Sequence, residues 1–298
     1  MRIGTFVDGL TLDELLAFAT TAEADGFDSL WVPQIFGLDA LSALTLVGHA
    51  VPRIELGTAV VPTYPRHPAV LAGQALTASA ACGGRLTLGI GLSHQLVIEG
   101  MYGYSYAKPV RHMREYLEAL VPLLAGEAVD FEGETLTAKV GLSVPGAQPV
   151  PVLVAALGPK MLELAAQRTS GTVTWMTGPQ TLADHTVPTL TKAAEAAGTG
   201  EMRVVSALPI AVTDDEAGLR AKAAKRFQVY GFLPSYRAML DREGAAGPED
   251  VALIGNTAEV RAGIERMRDA GVTDFVAVEF ITEEAVATPT RELLKDLL

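Results

Sequence analysis

The composition of the chain fits one large folded domain. Its 298 residues are 49% hydrophobic and 19% charged, which excludes a disordered chain. The formal net charge is −12 and no long block of Lys and Arg occurs, so we expect no nucleic-acid partner and no membrane partner. Cys82 is the only cysteine, which excludes an intrachain disulfide and a Cys-rich zinc site. No apolar run approaches the ~20 residues of a membrane span, and a cytoplasmic protein is expected.

Strand-like and helix-like hydrophobic patterns alternate along the chain. Residues 2–7 are predicted as a strand, 12–26 as an amphipathic helix and 28–33 as a second strand. Further apolar strands, each followed by a helical stretch, are predicted at 54–61, 85–91, 151–157, 171–177, 203–212 and 274–280. Eight such units predict an α/β fold, a closed (β/α)8 TIM barrel formed by 1–298 as a single domain. The alternative is an open doubly wound sheet, but no Gly-x-Gly-x-x-Gly turn follows the first strand.

Two segments exceed this repeat. After strand four, a helix is predicted over 109–126 and a β-hairpin over 127–139. Between strands seven and eight lies a long helical insertion, from 214 to 243 and then from 247 to 271, in which Thr257 is the expected N-cap.

The third strand is followed by an unusual connection. Pro62, Pro65 and Pro68 lie within seven residues and enclose Arg66 and His67. A simple turn needs no such rigid backbone, so the stretch is interpreted as a surface shaped for a ligand. The plainer interpretation is that these prolines end a strand and begin a helix.

Several stretches together resemble one known family. They are GFDSLWVP (26–33), GTAVVPTYPRHPAVLAGQAL (57–76), GRLTLGIG (84–91), FEGETLTA (131–138) and DAGVTDFVAV (269–278). Their order and spacing resemble the luciferase-like family, whose members are TIM barrels that use FMN or the deazaflavin coenzyme F420. The Pro-x-Tyr-x-Arg-His-Pro-Ala pattern at 62–69 resembles the F420-dependent oxidoreductase branch most.

The resemblance implies a cofactor site at the third strand. In that family this strand ends in a bulge with a non-proline cis peptide that presses against the coenzyme ring, which corresponds here to the bond between Ala59 and Val60. The function implied is hydride transfer between F420 and a small, fairly apolar organic substrate such as an enone or imine. The alternatives are an FMN-dependent two-component monooxygenase and a non-catalytic flavin-binding barrel.

Candidate site residues lie at the C-terminal ends of the strands, where barrels build their sites. His94 is the predicted catalytic group, because histidine is suited to protonate the product of hydride transfer near neutral pH. Its alternative roles are stacking on the coenzyme ring and capping the next helix. Gly158 and Pro159 begin a helix whose N-terminus favours the phosphate of the coenzyme. The full set of predicted cofactor-binding residues is Asp8, Gln34, Ala59, Val60, Val61, Gly91, Leu92, Ser93, Leu157, Gly158, Pro159, Thr177 and Gly178. No metal ligands are predicted.

One difference from the family pattern argues against a sugar-phosphate substrate. Sugar-phosphate dehydrogenases of the family end strand two with an Asp-His pair, where this chain has Gln34 and Ile35, and no Lys/Arg cluster is predicted at the ends of strands six and seven. The expected pocket wall is instead apolar and comprises Ile35, Phe36, Leu38, Leu92, Met101, Tyr102 and Tyr104.

A homodimer is expected. Leu41, Leu44, Leu46 and Val47 make the second helical stretch more apolar than an exposed helix tolerates. The remaining histidines are interpreted as structural, with His185 at the surface and His67 in local hydrogen bonds.

Overall fold

A computed structural model describes residues 1–298 and confirms the predicted barrel. The strands in chain order are β1 (Arg2–Phe6), β2 (Ser29–Val32), β3 (Glu55–Thr58), β4 (Val61–Pro62), β5 (Leu86–Gly91), β6 (Val129–Glu132), β7 (Thr137–Val140), β8 (Val152–Val154), β9 (Gly171–Trp175), β10 (Arg203–Val212), β11 (Leu253–Gly255) and β12 (Asp274–Glu279). Eight of them pair in parallel in the order β1, β2, β3, β5, β8, β9, β10 and β12. Pairing of β12 with β1 closes the ring.

The helices surround this ring. They are α1 (Leu12–Asp25), α2 (Ala40–Ala50), α3 (Pro68–Ala81), α4 (Gln95–Gly100), α5 (Pro109–Leu124), α6 (Pro159–Arg168), α7 (Pro179–Thr181), α8 (Val187–Ala197), α9 (Glu216–Phe227), α10 (Pro234–Glu243), α11 (Pro248–Val251), α12 (Thr257–Asp269) and α13 (Glu284–Lys295). A π-helical turn (Leu182–Thr186) joins α7 to α8, and a 3-10 turn (Gln228–Gly231) follows α9. None of these helices is both long and apolar enough to cross a membrane.

The predicted third strand is divided in two. β3 ends at Thr58 and β4 begins at Val61, and the intervening bond between Ala59 and Val60 is cis, as the resemblance implies. β4 then pairs with the end of β5, where Pro62 lies opposite Gly91.

The insertion between β10 and β12 differs from its prediction. The apolar run before residue 256 forms the short strand β11, which pairs with the end of β10. The N-cap of α12 is Asn256 and not Thr257, because Asn256 Oδ1 accepts hydrogen bonds from the backbone N–H groups of Ala258 and Glu259. The predicted helix and hairpin after strand four are present as α5 and the antiparallel pair β6–β7.

The barrel interior is filled by a small apolar cluster. The Trp31 side chain is fully buried there, and its Nε1 donates to Ser29 Oγ over 2.8 Å. Glycine at position 57 makes room for the indole, since a Cβ there would lie 2.3 Å from the Trp31 ring. The interior is therefore solid at the level of this ring.

Charged side chains close the barrel below Trp31, at the N-terminal ends of the strands. Arg203 contacts Glu55 at 2.6 Å and Asp274 at 2.7 Å, and Arg2 contacts the same two carboxylates. Although burial opposes charge, hydrogen bonds to these two carboxylates hold the pKa of Arg203 above its usual value. This end of the barrel is a stabilising network that joins four strands, β1, β3, β10 and β12.

Helix α2 packs differently from the expectation for a dimer. Leu41, Leu44 and Val47 are each only 1% exposed and belong to the core of the chain itself. Only Leu46 is exposed, at 54%. The apolar character of this helix is thus explained mostly by its packing against the barrel.

Candidate active site

An aromatic wall lines the mouth of the barrel at the C-terminal ends of β1 and β9. The rings of Phe6 and Trp175 stack with their centroids 6.5 Å apart. Phe227 and Tyr230 meet the Trp175 ring edge-on at 5.7 and 5.8 Å. The Trp175 ring is half-buried at the mouth, and its Nε1 has no hydrogen-bond partner.

The insertion after β10 extends this wall across the mouth. Tyr236 of α10 packs edge-on against Tyr230 at 5.0 Å and lies 5.8 Å from the His94 ring. Burial raises the pKa of Tyr236, so its hydroxyl stays protonated. Residues more than 140 positions apart in the sequence are therefore neighbours across the mouth.

His94 lies at the N-cap position of α4, but its side chain makes no capping hydrogen bond. The alternative role as a helix cap is therefore absent from this structure. The imidazole is half-buried and forms no hydrogen bond within the chain. Burial lowers the pKa of His94, which leaves a neutral ring available to a ligand at neutral pH.

The residues next to His94 hold it at the rim. Ser93 has a left-handed backbone with φ of 58°, and its carbonyl accepts a hydrogen bond from the Tyr106 hydroxyl over 3.2 Å. Leu92 packs against the core and is half-buried.

The bulge after β3 presents a small apolar platform to the mouth. Ala59 and Val60 are half-buried and pack on the interior cluster, while Val61 is fully buried. Gly91 of β5 lies directly behind the valine, because a Cβ at that position would come within 2.7 Å of Val60 Cγ2. The glycine thus allows the platform and β5 to approach closely.

The N-termini of α6 and α7 differ in their availability to an anion. At α6, Gly158 and Pro159 are exposed, and no side chain caps the helix. At α7, the Glu243 carboxylate of α10 accepts hydrogen bonds from the N–H groups of Gln180 and Thr181. The N-terminus of α6 is open to a phosphate, and that of α7 already holds a carboxylate.

The other predicted residues near these helices are engaged within the chain. Thr177 is buried and donates to the Trp175 carbonyl over 3.3 Å, and Gly178 lies against Glu243. The Leu157 carbonyl accepts from His185 Nε2 over 2.8 Å. His185 is buried and not at the surface, so that prediction is wrong; its ring fixes the loop after β8.

The ends of β1 and β2 also contribute polar groups to the mouth. Asp8 is exposed, and its Oδ1 accepts from the Gly9 N–H. Gln34 is half-buried, and its Oε1 accepts from the Ala40 N–H at the start of α2 over 2.7 Å. The Gln34 amide nitrogen remains free to donate to a ligand.

The proline-rich stretch after β4 forms part of the scaffold. Tyr64 stacks on His112 of α5 at 3.9 Å, and Arg66 pairs with Asp39. His67 accepts from the Ala69 N–H and donates to the Thr137 carbonyl, which confirms its local role. A cavity of about 550 Å³ lies beside this stretch, but its charged and imidazole groups already have partners within the chain, such as Glu134 for Lys108 and the Thr63 hydroxyl for His112.

A basic group that the sequence did not predict lies near the end of β12. Lys222, Lys225 and Arg226 of α9 line a second cavity of about 510 Å³. Lys222 pairs with Glu283 at 2.9 Å, and Arg226 donates to the Phe280 carbonyl over 3.0 Å. No group of three His, Cys, Asp or Glu side chains is placed to hold a metal ion.

The comparisons with known proteins agree with this geometry. The profile of the family described as luciferase-like monooxygenase matches residues 2–295. The chain belongs to this family. A 5,10-methylenetetrahydromethanopterin reductase from Methanolobus tindarius is 27% identical over 91% of this luciferase-like chain and 92% of its own length.

Solved structures share the fold over the whole length. An F420-dependent secondary alcohol dehydrogenase, in complex with an F420-acetone adduct, superposes with a TM-score of 0.81 at 20% identity, covering 100% of this chain and 98% of the other. A coenzyme F420-dependent tetrahydromethanopterin reductase from Methanopyrus kandleri also gives 0.81 at 20% identity, with 99% and 98% covered. The predicted luciferase-like family, on its F420-dependent oxidoreductase branch, is confirmed.

The mouth of this luciferase-like barrel brings together the bulge, Gly91, His94 and the open end of α6. Sequence reasoning missed the aromatic wall, although the pattern of Phe227, Tyr230 and Tyr236 at a spacing of three and six residues is visible in the sequence. That pattern alone gives no reason to place the three rings against Trp175.

Proposed function

We propose that this protein is a coenzyme F420-dependent oxidoreductase that moves a hydride between the coenzyme and a small, fairly apolar organic substrate. The observation that carries the proposal is the mouth itself, where an apolar platform faces an aromatic wall and an unbonded imidazole lies at the edge. The names of the relatives and the ketone-derived adduct in the alcohol dehydrogenase support it.

The residues present fit such a coenzyme. Ala59 and Val60 offer an apolar face to a planar ring, and Gly91 lets them approach β5. The exposed N-terminus of α6 at Gly158 and Pro159 offers free N–H groups to a phosphate. F420, when bound, supplies or accepts the hydride.

His94 would supply the proton that balances this transfer. Addition of a hydride to a C=O or polarised C=C bond leaves a negative charge on oxygen or carbon, and one proton completes the reduction. The half-buried, unbonded His94 ring lies at the rim, and its protonated form, which the lowered pKa favours only below neutral pH, would be the donor. Phe6, Trp175 and Tyr230 would exclude water from the apolar face of the substrate.

The coenzyme choice is tested by titrating the protein with F420 and FMN side by side and following coenzyme fluorescence. Tighter binding of F420, followed by oxidation of its reduced form on addition of an enone, ketone or imine, is the expected result. Comparable or tighter FMN binding favours the two-component monooxygenase; a Baeyer-Villiger monooxygenase of the same fold is known in complex with FMN. Tight binding of F420 without transfer to any acceptor favours a non-catalytic carrier.

A further inference from the structure

The exposed apolar side chains of this protein are concentrated around the mouth. Twelve large apolar residues are exposed in the whole chain, and eight of them lie in the segments 34–38, 92–107 and 228–236. We call these eight the apolar rim: Ile35, Phe36, Leu96, Met101, Tyr102, Tyr104, Val229 and Phe232. Phe232 is 77% exposed and Leu96 is 72% exposed, which is costly in water unless a ligand covers them.

The same three segments are nearly free of charge. They contain a single charged residue, Glu99, whereas charged residues make up 19% of the chain. The Glu99 carboxylate accepts hydrogen bonds from Gln95 and from the Tyr106 N–H. A segment that only had to stay in solution would carry more charge, so an apolar ligand explains this composition better.

The position of the apolar rim around the mouth indicates that it binds a small-molecule ligand of the mouth and not a partner protein. Its segments follow β2, β5 and β10, so they stand on three sides of one opening. On the insertion, the rim residues Val229 and Phe232 flank Tyr230, which belongs to the aromatic wall inside the mouth. The rim on the insertion therefore adjoins Tyr230, whose ring contacts the Trp175 ring edge-on. A flat partner protein seated there would cover the entrance used by coenzyme and substrate.

We infer that the apolar rim binds an alkyl chain of the substrate, so that the substrate is a ketone, enone or imine carrying an aliphatic tail of several carbons. The reactive group lies inside the mouth near His94, and the tail leads outward over the rim. This inference rests on the proposed function, because it names the substrate class of the same site.

The test uses linear 2-alkanones from four to ten carbons and the full-length protein, with and without F420. Trp175 at the mouth reports binding through its fluorescence. We expect affinity to rise about two- to four-fold per added methylene over at least four carbons, the scale of apolar burial. With F420 bound, kcat/KM should rise in parallel.

Matched variants locate the effect. Val229→Ser should flatten the dependence on chain length, and Val70→Ser should not, since both valines are 56% exposed and only Val229 lies on the rim. Phe232→Ser should act in the same direction as Val229→Ser. Affinity independent of chain length, equal effects of the two valine variants, or a rim variant that lowers the sedimentation mass would overturn the inference.

These outcomes separate the inference from the proposed function. If the protein does not bind F420 but alkanone affinity still rises steeply with chain length, F420 is not the coenzyme and the rim remains an alkyl-binding site. If F420 binds tightly but alkanone affinity does not change with chain length, only the inference of an alkyl-binding rim is refuted.

Discussion

His94 owes its chemical availability to its surroundings. It occupies a helix N-cap without capping the helix, and its only ring neighbour is Tyr236. Most buried polar groups of a folded protein are hydrogen-bonded, so a half-buried imidazole without a partner is suited to bind a ligand or to transfer a proton.

Replacement of His94 tests that role. His94→Ala should leave F420 affinity nearly unchanged and slow reduction by roughly 10²–10⁴-fold, the usual contribution of a positioned acid. Single-turnover oxidation of the reduced coenzyme by an acceptor measures the rate. Full turnover in the variant means that water or another group delivers the proton.

The rate should also depend on pH with a definite sign. Burial lowers the pKa of His94 below its ordinary value of 6.5, and the protonated ring is the donor. Reduction should therefore speed up as the pH falls below 6.5 and slow as it rises, whereas His94→Ala should lose this dependence. Profiles of kcat for the two proteins provide the comparison.

Substitution of Gly91 tests whether the Ala59–Val60 platform binds the coenzyme. In Gly91→Ala the new methyl would lie 2.7 Å from Val60 Cγ2 and 3.2 Å from Ala155 Cβ, so Val60 must move. We expect a stability loss of about 1–3 kcal/mol and at least ten-fold weaker F420 binding, measured by urea unfolding and by fluorescence titration. Gly73→Ala is the control, since its Cβ meets nothing within 4 Å; equal F420 affinity in both variants would remove Val60 from the coenzyme site.

At the scale of elements, the insertion is attached firmly to the barrel. Glu243 of α10 accepts hydrogen bonds from Gln180 and Thr181, and the Thr181 hydroxyl donates to the Met239 carbonyl. These bonds fix α10 over the end of β9, and with it the contact between Tyr236 and His94.

Loss of the Glu243 carboxylate should loosen that attachment. Glu243→Ala leaves two backbone N–H groups without partners, at a cost of about 1–2 kcal/mol. Hydrogen exchange should rise in 228–243 while the barrel strands keep their protection, and substrate affinity should fall. Glu249→Ala on the same insertion is the control. Uniform exchange across the chain in both variants would show that α10 needs no such anchor.

The elements that the sequence predicted well are those whose signals are local. Gly26 ends α1 in a left-handed conformation, and apolar runs mark the eight barrel strands. The strand β11 was missed because it has only three residues, Leu253–Gly255, too few to show the alternating pattern of a strand. The aromatic wall was missed because it depends on the packing of β1, β9 and α10, which are far apart in the chain.

At the scale of the whole molecule, assembly remains a prediction. Leu46 of α2 is 54% exposed, on a helix that packs against α3. We expect a homodimer through this face, and Leu46→Glu should dissociate it. Sedimentation velocity provides the measurement, and a wild-type mass near 31.3 kDa across micromolar concentrations would contradict the expectation.

The indole of Trp31 has a further consequence for the order of events. It fills the barrel between the mouth and the Arg203 network. The pocket at the mouth is therefore closed at its base and opens to solvent only at the top. A molecule bound at the base of such a pocket must bind first and dissociate last. If the coenzyme ring lies on the Ala59–Val60 platform beneath the substrate, the kinetic mechanism has a compulsory order. The coenzyme binds before the substrate and is released after the product.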